Sequence, residues 1–183
     1  MPVAAETAVR ALTLLEVSAG HTLVINGAAG GVGTAAVQFA RDRNATVIGT
    51  ASPANHDFLR SLGAMPTTYG AGVVDRVRAL APAGVDLAFD VAGQGALPEL
   101  IELTGSPERV LTIADPQAGQ YGVPYTSGGG QRSYQALGEA ARLFTQGRFT
   151  LPVARTFPLA DAPQAHRISE QGHVRGKLVL LLD

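Results

Sequence analysis

Short apolar runs alternate along the chain with stretches of helical periodicity. The run HTLVIN at 21–26 is short, apolar and rich in β-branched residues, so it predicts a buried strand. Residues 7–17 repeat apolar positions with the spacing of one helix face. The same alternation continues to the end of the chain. It predicts strands at 21–26, 45–50, 85–91, 109–114, 153–157 and 177–182, and helices at 7–17, 34–42, 55–62, 73–80, 97–103, 131–146 and 162–169.

Strands that alternate with helices in this way predict βαβ units. The expected fold class is therefore α/β, a doubly wound, mostly parallel sheet with helices on both faces. A further short strand is expected at 121–125, where Pro124 suits the edge of a sheet. Residues 127–130 are expected to form a flexible hinge.

A glycine-rich turn joins the first predicted strand to the helix behind it. Residues 27–33 read GAAGGVG and space Gly27, Gly30 and Gly33 three positions apart. Glycine clusters also mark ordinary turns, but a strand before and a helix directly after form the order that a dinucleotide-binding fold requires. One glycine would allow the sharp turn, one would let the backbone approach a pyrophosphate, and Gly33 would let the helix pack closely on the strand. The alternative is a tight turn that binds no ligand.

The end of the second predicted strand bears on which dinucleotide would bind. NAD sites commonly place a carboxylate about 20 positions after the first glycine, where it binds the ribose 2′-hydroxyl. Residues 49–53 read GTASP and contain no carboxylate, which permits NADP because a carboxylate there would repel the 2′-phosphate. Ser52 and Asn55 can donate hydrogen bonds to that phosphate, with His56 close behind. The alternative for these three residues is a helix N-cap cluster, and both roles can hold at once.

Composition excludes several classes of function. The 183 residues are 46% hydrophobic and 16% charged, which argues against disorder, and a net charge of −1 offers no basic surface to nucleic acid or to a membrane. The absence of cysteine excludes a disulfide scaffold, a thiolate zinc site and a cysteine nucleophile. The four histidines have no metal-ligand spacing, so no metal site is expected. No apolar run approaches the roughly 20 residues of a membrane span, and no signal peptide is recognisable, so a cytoplasmic protein is expected.

Patterns of known catalytic residues are also missing. The chain has no GxSxG motif to anchor a hydrolase triad. None of its tyrosines is followed four positions later by a lysine, which is the pattern of short-chain reductases. Asp86 and Asp90 bracket one predicted strand, where they are expected to cap the strand and to anchor a turn. No residue is assigned a catalytic role.

Five segments of the chain together resemble a known family. They read NGAAGGVGTAAVQFA, ATVIGTAS, NHDFLRSLGA, GVDLAFDVAG and GHVRGKLVL, in this order. They resemble the medium-chain dehydrogenase/reductase superfamily, and within it the zinc-independent branch that is similar to quinone oxidoreductases. The resemblance runs over essentially the whole chain. It implies the Rossmann fold and NADP(H) as the cofactor.

The resemblance also implies where the phosphates of the cofactor would bind. Gly30, Gly31 and Val32 would lie under the pyrophosphate. Ser52 and Tyr69 would lie near the 2′-phosphate, and Tyr69 occupies the place where the family often has a tyrosine after its third strand.

The two nucleoside ends of the cofactor are placed by the same resemblance. Val91, Ala92 and Gly93 would contact the ribose and the adenine side of the cofactor, and Ile113 and Ala114 would face the nicotinamide. The alternative for Val91, Ile113 and Ala114 is plain core. A basic residue near the last strand, Arg175 or Lys177, is a weaker candidate for cofactor binding.

Family members begin with a barrel-like catalytic domain, whereas this chain resembles only the part that follows it. Residues 1–148 are therefore expected to be an NADP-binding Rossmann domain. Residues 149–183 resemble a segment that packs back on the catalytic domain, so it is expected to be docked on nothing here. Substrate-pocket residues of the family have no counterpart in the chain.

The expected function is that of the NADPH-binding domain of an enzyme similar to quinone oxidoreductases or enone reductases. The complete enzyme would transfer hydride from the nicotinamide to a quinone or an α,β-unsaturated carbonyl. The alternative is a non-catalytic module that binds NADPH or docks on a partner chain. Apolar faces on 131–147 and 151–183 are expected to lack cover, which favours a homodimer or a partner catalytic domain.

Overall fold

The computed structural model describes residues 2–128, 133–172 and 174–182. An N-terminal helix precedes a regular alternation of strands and helices. The elements are α1 (Pro2–Leu14), β1 (Thr22–Asn26), α2 (Gly31–Asp42), β2 (Thr46–Thr50), α3 (His56–Ser61), β3 (Met65–Thr67), α4 (Val73–Leu80), β4 (Leu87–Asp90), α5 (Leu97–Thr104), β5 (Val110–Thr112), α6 (Gln135–Thr145), β6 (Val153–Pro158), α7 (Ala162–Glu170) and β7 (Lys177–Leu181).

Five parallel strands form the central sheet in the order β3-β2-β1-β4-β5. Successive strand residues point to opposite faces, and both faces are covered. Leu23 and Ile25 belong to the core that includes residues of α1, α2 and α6, whereas Val24 belongs to the core on the side of α4 and α5. Burial on both faces explains why these strands are continuous apolar runs in the sequence. The predicted doubly wound Rossmann fold is confirmed.

The edge strand β3 was not predicted from the pattern of residues. It spans three residues, Met65–Thr67, and Pro66 lies at its centre opposite Gly49 of β2. Proline cannot donate a backbone hydrogen bond, so it is tolerated on an edge strand but weakens the strand pattern in the sequence.

The predicted strand at 121–125 is wrong. Ala118–Tyr121 form a 3-10 turn that ends at Gly122, whose φ is 68°. Only a single bridge, between Thr112 and Tyr125, joins the segment to β5 within the described residues. The left-handed backbone at Gly122 redirects the chain before a longer pairing forms. Residues 129–132, which contain the end of the predicted hinge and the start of the predicted helix 131–146, lie outside the described residues.

The C-terminal residues form a second, two-stranded parallel sheet of β6 and β7. The expectation that this part is docked on nothing is wrong. The Gln38 side chain of α2 accepts a hydrogen bond from Thr150 N at 2.7 Å and donates one to Thr150 O at 2.8 Å. Gly176 N also donates to Ala29 O in the glycine-rich turn at 3.4 Å. These hydrogen bonds tie the C-terminal residues to α2 and to the glycine-rich turn.

None of the helices in the described ranges is long and apolar enough to cross a membrane.

Candidate functional site

A cleft of about 650 Å³ opens at the carboxyl ends of the parallel strands. It lies where the order of the sheet reverses between β1 and β4, which is where open α/β sheets bind their ligands. The glycine-rich turn, the end of β2, and the loops after β3 and β4 line it, together with residues 169–172 and 174. Its volume falls within the range of about 300–1,000 Å³ that is typical of small-molecule sites.

A chain of buried polar side chains crosses the sheet beneath the cleft. Thr50 Oγ1 donates to Asn26 Oδ1 at 2.7 Å, and Asn26 Nδ2 donates to Asp90 Oδ1 at 2.9 Å. From the other side, Thr112 Oγ1 donates to Asp90 Oδ2 at 2.7 Å. These four residues end β2, β1, β4 and β5, and the chain therefore holds the four strand ends in register. Asn26, Thr50 and Thr112 were not among the predicted site residues. The sequence did contain a signal for them, because each of these buried strands ends in a polar residue.

The Asp90 carboxylate also anchors the loop after β4, as predicted. Its Oδ1 accepts hydrogen bonds from Ala92 N at 3.1 Å and from Gly93 N at 2.9 Å. With the Asn26 and Thr112 side chains, four donors surround a side chain that is fully buried. A buried carboxylate is stable when its lone pairs are satisfied in this way. Asp90 is therefore a structural residue that positions the cleft.

Each glycine of the turn has a distinct environment. Gly27 has a φ of 83°, which permits the sharp turn after β1. A Cβ on Gly33 would lie 2.3 Å from Gly27 O, so Gly33 lets α2 pack closely on the turn directly after β1. Gly30 lines the cleft, and a Cβ there would make only an ordinary contact of 3.5 Å with Gly27 O. The surface of Gly30 is thus left open for a ligand, next to the first amides of α2, which have no acceptor within the helix.

Gly31 and Val32 are not part of the cleft lining. The Lys177 side chain covers Gly31, since a Cβ on Gly31 would lie 2.7 Å from Lys177 Cε. Val32 is partly buried against the core on the α1 and α2 side. Lys177 therefore places a cation at the N-terminus of α2, which is itself the positive end of a helix dipole. This arrangement favours binding of an anion.

The polar group at the end of β2 combines Ser52, Asn55 and Arg175. Asn55 Nδ2 donates to Ser52 Oγ at 3.1 Å, and Arg175 Nε donates to Asn55 Oδ1 at 2.8 Å. Ser52 and Asn55 occupy N-cap positions, but neither side chain makes a capping hydrogen bond. His56 Nε2 lies 3.2 Å from Ala51 O, and the ring is thereby held by the backbone.

The guanidinium of Arg175 is fixed by three contacts. Besides the bond to Asn55, its Nη2 donates to Ala54 O at 3.0 Å, and its Cζ lies 5.2 Å from the centre of the Phe58 ring. Arg175 is itself exposed. An oriented cation with remaining N–H groups therefore stands next to Ser52 and Asn55.

The cleft brings together seven of the residues predicted for cofactor binding. They are Gly30, Ser52, Asn55, Tyr69, Val91, Ala92 and Gly93. Two predicted for the nicotinamide do not line it. Ile113 is partly buried against the core, and Ala114 is exposed, with its carbonyl oxygen 3.0 Å from where a Cβ on Gly93 would lie.

The residues present do not fit a zinc ion. The chain has no cysteine, and its described residues contain no group of three or more histidine, aspartate or glutamate side chains that could hold a metal. Glu108, whose pKa is lowered because the Ser106 hydroxyl donates a hydrogen bond to it, lies before β5 and outside the cleft.

Comparison with known proteins identifies the family. Residues 62–180 match the family model described as zinc-binding dehydrogenase. The chain belongs to this family. The resemblance to medium-chain dehydrogenases and reductases is thereby confirmed. The family's name refers to a metal for which the described part of this chain offers no group of ligands.

Individual relatives agree with the assignment of the chain to this family. It is 32% identical over 198 residues to the spectinabilin polyketide synthase system protein NorB of Streptomyces orinoci, and the match covers 100% of this chain and 9% of NorB. Its fold matches the quinone oxidoreductase from Coxiella burnetii with a TM-score of 0.81 and 31% identity, over 100% of this chain and 59% of that one. The CurK enoyl reductase matches with a TM-score of 0.80 and 25% identity, over 99% of this chain and 61% of that one. This chain thus spans little more than half of each solved relative.

Proposed function

We propose that this chain is the NADPH-binding part of an oxidoreductase that reduces a quinone or an α,β-unsaturated carbonyl. The observation that carries the proposal is the hydrogen-bonded group of Ser52, Asn55 and Arg175 at the end of β2. An NAD site commonly places a carboxylate at this point. A cation and two polar side chains there suit the 2′-phosphate of NADP instead.

The remaining contacts follow from the geometry of the cleft. Gly30 leaves room for the pyrophosphate, which the first amides of α2 and Lys177 would bind. Val91, Ala92 and Gly93 form the opposite wall of the cleft. Their loop is fixed by hydrogen bonds from the Ala92 and Gly93 amides to the buried Asp90 carboxylate. The bound nicotinamide supplies the hydride. The residues of this chain bind the dinucleotide and orient it, while the substrate class rests on the names of the quinone oxidoreductase and enoyl reductase relatives.

The proposal is tested by titrating the purified chain with NADPH and with NADH and following nicotinamide fluorescence. We expect NADPH to bind about tenfold more tightly or better, as one charge-assisted contact to phosphate would produce. Replacing Arg175 by alanine should weaken NADPH binding by about tenfold and leave NADH binding nearly unchanged.

Arg155→Ala is the matched control, because Arg155 stacks on Phe157 in β6, whereas Arg175 donates to Asn55 in the polar group at the end of β2. It removes the same charge and should leave both affinities unchanged. Failure of the wild-type chain to bind either dinucleotide would refute cofactor binding. An equal loss of affinity for both dinucleotides in Arg175→Ala would refute the role of Arg175 at the 2′-phosphate.

The second candidate is a non-catalytic module that binds NADPH and docks on a catalytic domain. Exposed apolar side chains favour it. Tyr134 is 83% exposed, Phe144 66% and Leu182 78%, and all three lie on or beside α6 and β7. Apolar side chains that form a contiguous exposed patch are typical of surfaces that another domain or chain covers.

A further inference from the structure

One carboxylate oxygen in the cleft is buried without a hydrogen-bond donor. Glu99 lies in the first turn of α5 and lines the cleft. Its Oε2 is buried and has no hydrogen-bond partner among the described residues. Buried acceptors without a donor are rare in folded proteins because each costs about 1–3 kcal/mol. The position therefore calls for a donor that enters the cleft from outside the chain.

Apolar side chains from the starts of α4 and α5 line the cleft together with Glu99. Val73 at the start of α4 and Ala96 and Leu100 around the first turn of α5 line the same cleft. These two helix starts lie side by side at the carboxyl end of the sheet, since α4 and α5 pack on the same face. Together they offer apolar surface and one carboxylate acceptor.

Arg76, on the neighbouring helix α4, uses its Nη donors to bind the loop after β3. Arg76 of α4 donates through its Nη atoms to the carbonyl oxygens of Thr68, Tyr69, Gly70 and Ala71, at 2.8–3.3 Å. It thereby holds the loop after β3 that forms one wall of the cleft. Its Nε is buried and has no hydrogen-bond partner among the described residues. The described residues contain no ion pair between Arg76 and Glu99.

We propose that Glu99 Oε2 accepts a hydrogen bond from the exocyclic amino group of the adenine ring, and that Glu99 selects adenine over purines that carry a carbonyl at that position. The inference rests on the proposed binding of NADPH. An adenine ring has two apolar faces for the side chains around Glu99 and an N–H donor for the unpaired oxygen. The adenosine carries the 2′-phosphate, so a phosphate at Ser52 and Asn55 places this nucleoside on the same side of the cleft as the loop after β3.

The test compares two cofactors that differ only at one edge of the purine ring. Reduced nicotinamide hypoxanthine dinucleotide phosphate has a carbonyl oxygen in place of the adenine amino group and an N–H at N1 in place of a ring acceptor. At the position of the amino group it would therefore set an acceptor against the Glu99 carboxylate. Both molecules share the nicotinamide fluorescence, and one assay on the full chain measures both. We expect wild type to prefer NADPH by about tenfold or more.

Glu99→Gln should remove most of this preference, because the glutamine amide can donate to the hypoxanthine carbonyl. Glu102→Gln is the matched control on the same helix, since Glu102 forms an exposed ion pair with Arg78 at 3.0 Å. It should leave both affinities, and their ratio, unchanged. Thermal unfolding of each variant shows whether the fold is intact.

Two results would overturn the inference while the proposed function stands. One is equal binding of NADPH and the hypoxanthine analogue by wild type. The other is an equal loss of affinity for both cofactors in Glu99→Gln, which would mean that Glu99 supports the shape of the cleft and does not distinguish the two bases. Failure of wild type to bind either cofactor would overturn the proposed function and this inference together.

Discussion

Replacing Asp90 by asparagine tests whether the polar chain beneath the cleft holds the strand ends. Asparagine keeps one carbonyl oxygen, which can still accept from Asn26 Nδ2 and from the amides of residues 92 and 93. Its amide nitrogen then faces Thr112 Oγ1, whose hydroxyl donates to the carboxylate at 2.7 Å. Thr112 Oγ1 also accepts hydrogen bonds from Ala114 N and Asp115 N, both at 3.1 Å. The Thr112 hydroxyl can therefore only donate towards position 90. In the variant, its hydrogen would meet the N–H group of the asparagine amide, which is also a donor.

The magnitude follows from the four bonds. One buried donor left unpaired costs about 1–3 kcal/mol, and loss of the charge weakens the three remaining bonds by up to about 1 kcal/mol each. Removing the cost of burying a charge offsets part of this loss. We expect the free energy of unfolding to fall by about 2–4 kcal/mol, which is a large share of the stability of a domain.

The assay is urea unfolding followed by far-UV circular dichroism, because the chain has no tryptophan to report by fluorescence. Asp86→Asn is the control. Asp86 is exposed at the other end of the same strand and accepts one hydrogen bond, from Thr22 N at 2.8 Å. Asp86→Asn should lower the free energy of unfolding by less than about 1 kcal/mol. A change within about 0.5 kcal/mol of wild type for Asp90→Asn would refute the reasoning, because that is the scatter of ordinary surface substitutions.

Two further predictions concern the glycine-rich turn and the exposed apolar surface. Gly33→Ala should lower the free energy of unfolding by about 1–3 kcal/mol, since the new Cβ would lie 2.3 Å from Gly27 O. Gly30→Ala should leave the free energy of unfolding unchanged, because its Cβ would lie 3.5 Å from Gly27 O, but it should weaken NADPH binding. Equal losses of stability in the two variants would contradict this prediction. The exposed apolar side chains predict self-association at high concentration, measured by light scattering. A monomer at every concentration would count against the docking module.

Several parts of the site could not be predicted from the sequence because they join distant residues. Asn26 and Asp90 are 64 positions apart, and Asn55 and Arg175 are 120 positions apart. Residue patterns show which strands are buried but not which strands are neighbours. Arg175 was predicted only as a weak candidate by resemblance, and the contact that places it at the end of β2 depends on how the C-terminal part packs. That packing includes two hydrogen bonds of one side chain, Gln38, to Thr150.

The sequence by itself determined the alternation of strands and helices, the glycine-rich turn and the fold class. These features are local, because the period of apolar residues and the conformations open to glycine act within a few residues. The tertiary structure alone decided which polar groups meet at the carboxyl ends of the strands. It placed Lys177 over Gly31 and left Glu99 Oε2 without a donor among the described residues. Parallel strand order brings chain segments together irrespective of their separation in sequence, so the chemistry of the cleft depends on packing rather than on any single motif.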